Sequence, residues 1–333
     1  MNFYKMFFQK KLLRNQGKFV FEKYLTVLEK IYYKSFIRFN GIGKCFYKYK
    51  TINASTPVVL YLDYPKFIHL GDNLWCEPVA RLLAESFDLA ICCDSAMEFY
   101  FQRLGYKVID KSSINQSDVL IARTELAYHL RDKDVFWINF NYINVSEPLI
   151  NAVLNNIADY LGLNMSEAKP RALMFSAEEK NDLALKLGIN PQYKYSVFNN
   201  YIDSHSWKMG KREFRKANNS LRQFAEKYKQ EAGITLIHTG TKKDRDRDPA
   251  YYQTGDLDLR GITSVRESFI LASLDNVINY IGFDAFWLHL FNIYDKSSYV
   301  MLRSGFSNEW KNQVKKYVLT PYVTAEEKVG VID

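Results

Sequence analysis

The sequence predicts an α/β protein built as two successive halves, each a parallel sheet covered by helices. From residue 51 onward, short runs rich in Val, Ile, Tyr and Phe alternate with stretches of helical period, the pattern of strand and helix units packed in layers. The alternation is interrupted over 147–188, where helical periodicity is broken by Pro148 and Pro170, and then resumes. At 333 residues, 47% apolar and 25% charged, the chain has ordinary globular composition and room for two domains. The divisions expected are a leader over 1–50, a first domain over 51–190, a second over 191–320 and a tail over 321–333.

In the first half, PVVLYLDY (57–64) reads as a strand, because its β-branched and aromatic residues suit a pleated surface. A Gly-Asp turn at 71 and 72 leads to a helix over about 77–86. DLAICCD (88–94) is a second strand, followed by a helix over about 95–104, and KVI (107–109) is a third; VLIA (119–122) and VFWINF (135–140) continue the series. The second half opens with strand YSVFNN (195–200) and a helix over about 212–231. Strand ITLIHTG (234–240), helix SVRESFILAS (264–273), strand NVINYIG (276–282), helix AFWLHLFNIY (285–294) and strand SSYVMLR (297–303) follow. Crossover handedness sets the strand carboxyl ends of both halves at a shared edge, where open α/β sheets bind ligands. A cleft between the halves is therefore the expected site of chemistry.

Charge narrows the function. Basic residues number 45 against 37 acidic ones, a formal net charge of +8. Residues 1–50 hold 12 basic and 2 acidic side chains, so the other 283 carry 33 against 35. A nucleic-acid-binding domain would spread or stripe its charge over the folded body, so no nucleic acid is expected as a partner. The leader also holds 14 of the 52 aromatic residues, with Leu12, Leu13, Phe19, Leu25, Leu28 and Ile31 at mostly helical intervals. Such a segment suits an anionic membrane surface, where each basic residue contributes about 1 kcal/mol. It suits equally well an ordinary basic helix packed on its own protein.

Other classes find no support. No apolar stretch reaches the roughly 18 residues of a spanning helix, and lysines interrupt the N-terminal segment too often for a signal peptide. Cys45, Cys76, Cys92 and Cys93 lack CxxC spacing; the adjacent pair in LAICC reads as buried thiols in a reducing, cytoplasmic compartment. The five histidines are scattered and no zinc or EF-hand spacing occurs, so no metal is expected. GIGK (41–44) is too short for a phosphate-binding loop.

Four segments have residues suited to chemistry. HLGDN (69–73) places Asp72 between a strand and a helix, as a catalytic carboxylate at the cleft mouth or as a helix cap. IGFDAFWLH (281–289) sets Asp284 at a helix start with His289 five residues on, an arrangement suited to a diphosphate and equally to a capped helix with a half-buried histidine. NNYIDSHSWK (199–208) offers Asn200, Ser204 and Lys208, groups that bond phosphate oxygens and neutralise leaving-group charge, or a plain polar loop. TGTKKDRDRD (239–248) carries Gly240 and Asp244; its interleaved arginines oppose a divalent cation, leaving a nucleotide-side loop or a solvated charge run.

In chain order these segments resemble glycosyltransferase family nine, the heptosyltransferases of bacterial lipopolysaccharide. That family carries Gly-Asp near its start, a Thr/Ser loop ending in Lys, a Gly followed by an acidic residue, and Asp-Thr-Gly-x-x-His. Gly71 and Asp72 match the first, Lys208 the second, Gly240 and Asp244 the third, and Asp284 and His289 keep the spacing of the fourth. RGITSVRES (260–268) is similar to the family's TGxTSLxE, with Thr263, Ser264 and Glu267 aligned. The resemblance spans 57–303. Ala285 and Phe286 replace the family's Thr-Gly, and Asn199 and Asn200 stand where it often has His-Gly or His-Ala.

The resemblance implies a GT-B fold, two Rossmann-like domains facing across a cleft. It implies inverting, metal-independent transfer from a nucleotide-diphosphate sugar to a glycan or lipid-linked glycan acceptor, without a cofactor, at the inner face of the bacterial inner membrane. Asp72 would be the general base. Lys208 and the helix start after Asp284 would stabilise the departing diphosphate, Asp244 would touch the ribose or sugar, and His289 would complete a donor pocket that includes Asn200, Ser204, Gly240 and Thr263. The two departures point to an alternative, a non-catalytic module of the same fold that binds a glycan or an assembly partner.

Overall fold

The β-rich runs assemble into two parallel sheets in a computed structural model that describes residues 58–62, 70–85, 87–109, 119–122, 135–138, 169–200, 211–247, 256–283, 285–301 and 329–332. The first sheet comprises β1 (Val58–Tyr61), β2 (Leu89–Cys92), β3 (Lys107–Val108), β4 (Val119–Ala122) and β5 (Val135–Ile138), in the order β3-β2-β1-β4-β5. The second comprises β6 (Tyr195–Asn199), β7 (Thr235–His238), β8 (Leu257–Asp258), β9 (Val277–Phe283), β10 (Ser297–Met301) and β11 (Val329–Ile332), in the order β11-β10-β9-β6-β7-β8. Every pairing is parallel. The order reverses beside β1 in one sheet and between β6 and β9 in the other, the points where such sheets open a crevice at their carboxyl ends.

The helices are α1 (Leu70–Ala84), α2 (Glu98–Arg103), α3 (Ala177–Leu187), α4 (Lys211–Ala232), α5 (Lys242–Arg247), α6 (Val265–Ser273) and α7 (Phe286–Ile293), with a 3-10 turn (Ser95–Met97) before α2. α1 begins earlier than the sequence predicts. Pro78 suits a first turn, which draws the expected start to residue 77, yet it lies well inside the helix; Gly71 and Asp72 therefore belong to the first turn and not to a turn ahead of it. Residues 329–332, expected in a tail, pair with β10 as an edge strand. The 239–248 segment, expected as a loop, contains α5. The leader over 1–50 lies outside the described residues.

Both faces of the second sheet are buried, as parallel sheets require. Tyr195, Val197, Ile237, Val277, Tyr280 and Val300 face α6 and α7, whereas Phe198, Leu236, Ile281, Phe283 and Met301 face Leu221 and Ala225 of α4. The first of these clusters continues without a break into Leu60, Leu74, Val79, Ile91 and Tyr100 of the first half. Phe99 and Tyr100 of α2 each lie 5.2 Å from the Phe269 ring of α6, contacts worth about 0.5–1.5 kcal/mol each beyond their buried area.

The segment entering α3 is fastened to the first half by polar groups. Fully buried Glu77 accepts from Arg171 Nε at 2.8 Å, the Arg171 amide at 3.1 Å and the Tyr106 hydroxyl at 3.0 Å. A carboxylate taken out of water costs several kcal/mol unless so paired. Arg81 Nη2 and the Tyr100 hydroxyl donate to the Lys169 and Arg171 carbonyls, and the Tyr294 hydroxyl from the second half reaches the Leu173 carbonyl at 3.0 Å. Among the described residues no helix is long and apolar enough to cross a membrane.

Candidate functional site

The candidate site follows from where strands of the second sheet end. β6 and β9 pair with Asn199 opposite Gly282. A Cβ on Gly282 would lie 2.1 Å from the Tyr280 hydroxyl and 2.5 Å from the Asn199 carbonyl oxygen, so the close approach of these groups requires glycine. The Tyr280 hydroxyl donates to the Phe283 carbonyl at 2.7 Å. Beyond Asn199, the Asn200 side chain is buried; oriented to satisfy its amide, its oxygen accepts from Arg222 Nε at 3.2 Å and Nη2 at 3.0 Å. α7 starts behind Ala285, which is extended and supplies no capping side chain. Amide groups of a helix's first turn point outward and carry partial positive charge.

A second group gathers after β7 and β8. Asp244 Oδ2 accepts from both the amide and the hydroxyl of Thr241 at 2.7 Å, and the Asp244 amide bonds back to Thr241 Oγ1. This is a capping arrangement for α5, and it shapes the turn at Gly240, whose φ is +148°. Gly261, at φ +71°, lies where any Cβ would stand 2.7 Å from the Lys242 Cα; its amide donates to the Gly240 carbonyl at 2.8 Å and joins the two loops. Arg260, only 1% exposed, grips Asp258 through Nε and Nη2 at 2.8 and 2.9 Å. Those bonds hold the Asp258 carboxyl below its ordinary range. At Asp256, burial works to raise the pKa, but bonds from His238, Lys229 and the Leu236 amide outweigh it and lower it. Thr263 is half-buried, one residue before Ser264, the cap of α6.

The two halves meet at the starts of α1 and α7. The His289 ring lies over Gly71: a Cβ there would stand 2.5 Å from His289 Cδ2. His289 is 6% exposed. The helices that follow β1 and β9 thus touch through their N-terminal portions, joining segments more than two hundred residues apart.

The structure therefore brings together the sequence-predicted Gly71 with His289, and Gly240 with Asp244, while Asn200 lies at the adjoining strand end. Asp72 is fixed as a first-turn residue of α1; its side chain, Ser204, Lys208 and Asp284 lie outside the described residues. Sequence reasoning passed over Arg222, Arg260, Tyr280 and Gly282. Only Gly282 carried a signal, a glycine closing a β-rich run. Among the described residues no group of three or more His, Cys, Asp or Glu is placed to hold a metal ion.

No protein-family model matches the chain, and no curated protein sequence matches it. Solved structures do. An ADP-heptose lipopolysaccharide heptosyltransferase II from E. coli is 13% identical with a TM-score of 0.54, over 83% of this chain and 90% of that one. A glycosyltransferase of family nine from Veillonella parvula is 11% identical with a TM-score of 0.55, over 84% of this chain and 87% of that one. Nearly the whole length of each is covered, so the likeness extends through both sheets. The chain accordingly has the fold of the family-nine glycosyltransferases, the family that its sequence motifs resemble.

Proposed function

We propose that the protein is a GT-B glycosyltransferase that moves a sugar, with inversion and without a metal, from a nucleoside diphosphate donor to a hydroxyl of a bacterial surface glycan. Its two Rossmann-like domains face one another across a cleft. The observation that carries this reading is the contact of Gly71 with His289: it sets the first turn of α1, which bears Asp72, against α7, which follows Asp284 in the chain. A base and a diphosphate site on opposite halves is what displacement at a sugar carbon needs. Asp72 takes the proton of the acceptor hydroxyl as its oxygen bonds to the anomeric carbon. The bond from that carbon to the diphosphate oxygen breaks on the opposite side, and Lys208 with the first amides of α7 meets the negative charge that develops. Asn200, Ser204, Gly240, Asp244, Thr263 and His289 line the donor side. The basic leader holds the enzyme at the cytoplasmic membrane face, beside a lipid-linked acceptor.

Calorimetric titration with ADP, UDP and GDP tests the donor site, ADP first because the E. coli neighbour is named for ADP-heptose. With the sugar form of whichever nucleotide binds and extracted surface glycan as acceptor, Asp72→Asn should lower transfer by about 100-fold or more while donor affinity is kept. Undiminished transfer would remove Asp72 from its role. A second reading, a non-catalytic module of the same fold, is favoured by Ala285 and Phe286, since Ala285 leaves α7 without a capping side chain. It requires that none of the three nucleotides bind in the cleft.

A further inference from the structure

We propose that Tyr280, seated over Gly282, is the positioning residue of the donor turn, replacing from beneath the local order that the Ala285-Phe286 sequence does not supply. The proposal rests on the donor-site reading above. Tyr280 and Gly282 are two residues apart on β9, so their side-chain positions share one face of the strand. With no Cβ at Gly282, the phenol lies along the strand and its hydroxyl donates to the Phe283 carbonyl at 2.7 Å. That carbonyl is the last of β9, directly before Asp284 and the extended Ala285 from which α7 starts. The same missing Cβ admits the Asn199 carbonyl, so one glycine draws together the ends of β6 and β9.

The entry to α7 lacks a side-chain cap. α3 and α6 each enter through a serine and glutamate capping box, whereas α7 has an alanine at that position and no side-chain cap. Tyr280 is fully buried, with its ring near Phe291 of α7. Its hydroxyl therefore bonds in a dry site, where such a bond is strong and its loss is felt. Tyr280 touches no substrate; it acts through the Phe283 carbonyl on the direction in which α7 presents its first amides.

The test uses the full chain and the dissociation constants for ADP, UDP and GDP, read beside thermal midpoints. Tyr280→Phe keeps the ring and removes only the hydroxyl. It should weaken binding of the preferred nucleotide by about three- to tenfold, the range that one such bond carries. Gly282→Ala displaces the hydroxyl by crowding and should weaken binding at least as much. Tyr228→Phe is the control: its hydroxyl accepts from Asn279 Nδ2 at 2.7 Å between α4 and the sheet, away from the turn. It should lower the thermal midpoint without changing nucleotide affinity. Wild-type affinity in Tyr280→Phe, or equal weakening in Tyr228→Phe, overturns the proposal alone. Binding of none of the three nucleotides by the wild type overturns the donor-site reading, and the proposal with it.

Discussion

At the scale of residues, glycines mark where the two halves of this molecule come close. Gly71 stands in the first turn of α1 with the His289 ring across it, at a point where a methyl group would overlap the ring. Elsewhere in a helix, alanine in place of glycine is worth up to about 1 kcal/mol of added stability. Here the sign reverses. Gly71→Ala should destabilise the protein by about 1–3 kcal/mol, the usual cost of forcing extra volume into a packed site. In a His289→Ala background, where the ring is gone, the same change should be neutral or stabilising. A double-mutant cycle by denaturant unfolding measures the difference, and additive effects would mean that the ring and the glycine do not press on one another. This contact also marks how far the site was legible in the sequence. Gly71 and His289 were singled out separately, from turn chemistry and from helix-start spacing, but their meeting depends on two helices distant in the chain, and no local pattern encodes that. Arg222 and Tyr280 escaped for a related reason: one looks like an ordinary lysine- and arginine-rich helix surface, the other like an ordinary core aromatic.

At the scale of elements, segments that carry their own pattern are legible in the sequence, short β3, β4 and β5 among them, whereas elements defined by their neighbours are not. β6, β9, α4 and α6 declare themselves through continuous apolar runs or a helical stripe, because each buries its own pattern. β8, with two residues, and β11 at the sheet edge are defined by the partners that receive them. α5 is charged throughout and owes its start to the bonds between Thr241 and Asp244. α3 shows an element whose position depends on charge. Glu179, near its start, receives both arms of Arg103 from α2 at 2.7 and 2.9 Å, and Arg266 of α6 at 3.3 Å; Lys186, near its end, reaches Glu267 at 2.5 Å. The Arg103 hydrogen bonds, followed by the Ser176 amide, lower the Glu179 pKa to about 2 from its ordinary value of 4.5. A carboxyl lowered in the folded state adds stability above its unfolded pKa and loses that contribution as pH falls toward the folded one. The difference in melting temperature between the wild type and Glu179→Gln should accordingly be complete above about pH 4.5 and shrink steadily toward about pH 2. A difference that stays constant through this window would show that the carboxylate's charge does not fasten α3.

At the scale of the whole molecule, charge divides along the chain into a basic leader and a nearly neutral body. The two sheets share one hydrophobic cluster, and Arg103 and Arg171 tie α2 and the segment before α3 to carboxylates within that body. The residues beyond the leader nearly balance, 33 basic against 35 acidic. A body of that kind has no electrostatic reason to seek an anionic surface, whereas twelve basic and two acidic residues among fourteen aromatics do. Attraction of this type is additive in the basic residues and decays over about 10 Å at 0.1 M salt, so it belongs to the segment that carries the charge. Deleting residues 1–50 should therefore abolish most binding to vesicles containing anionic phosphatidylglycerol, and the binding of the full-length chain should fall as salt rises. Nucleotide affinity should be the same in both forms, because the residues proposed to line the donor side all lie beyond position 199. Co-sedimentation with vesicles and calorimetry on the same two preparations decide it: equal sedimentation of both forms would return the leader to the role of a basic surface helix, and a parallel loss of nucleotide binding would mean that residues 1–50 complete the donor site.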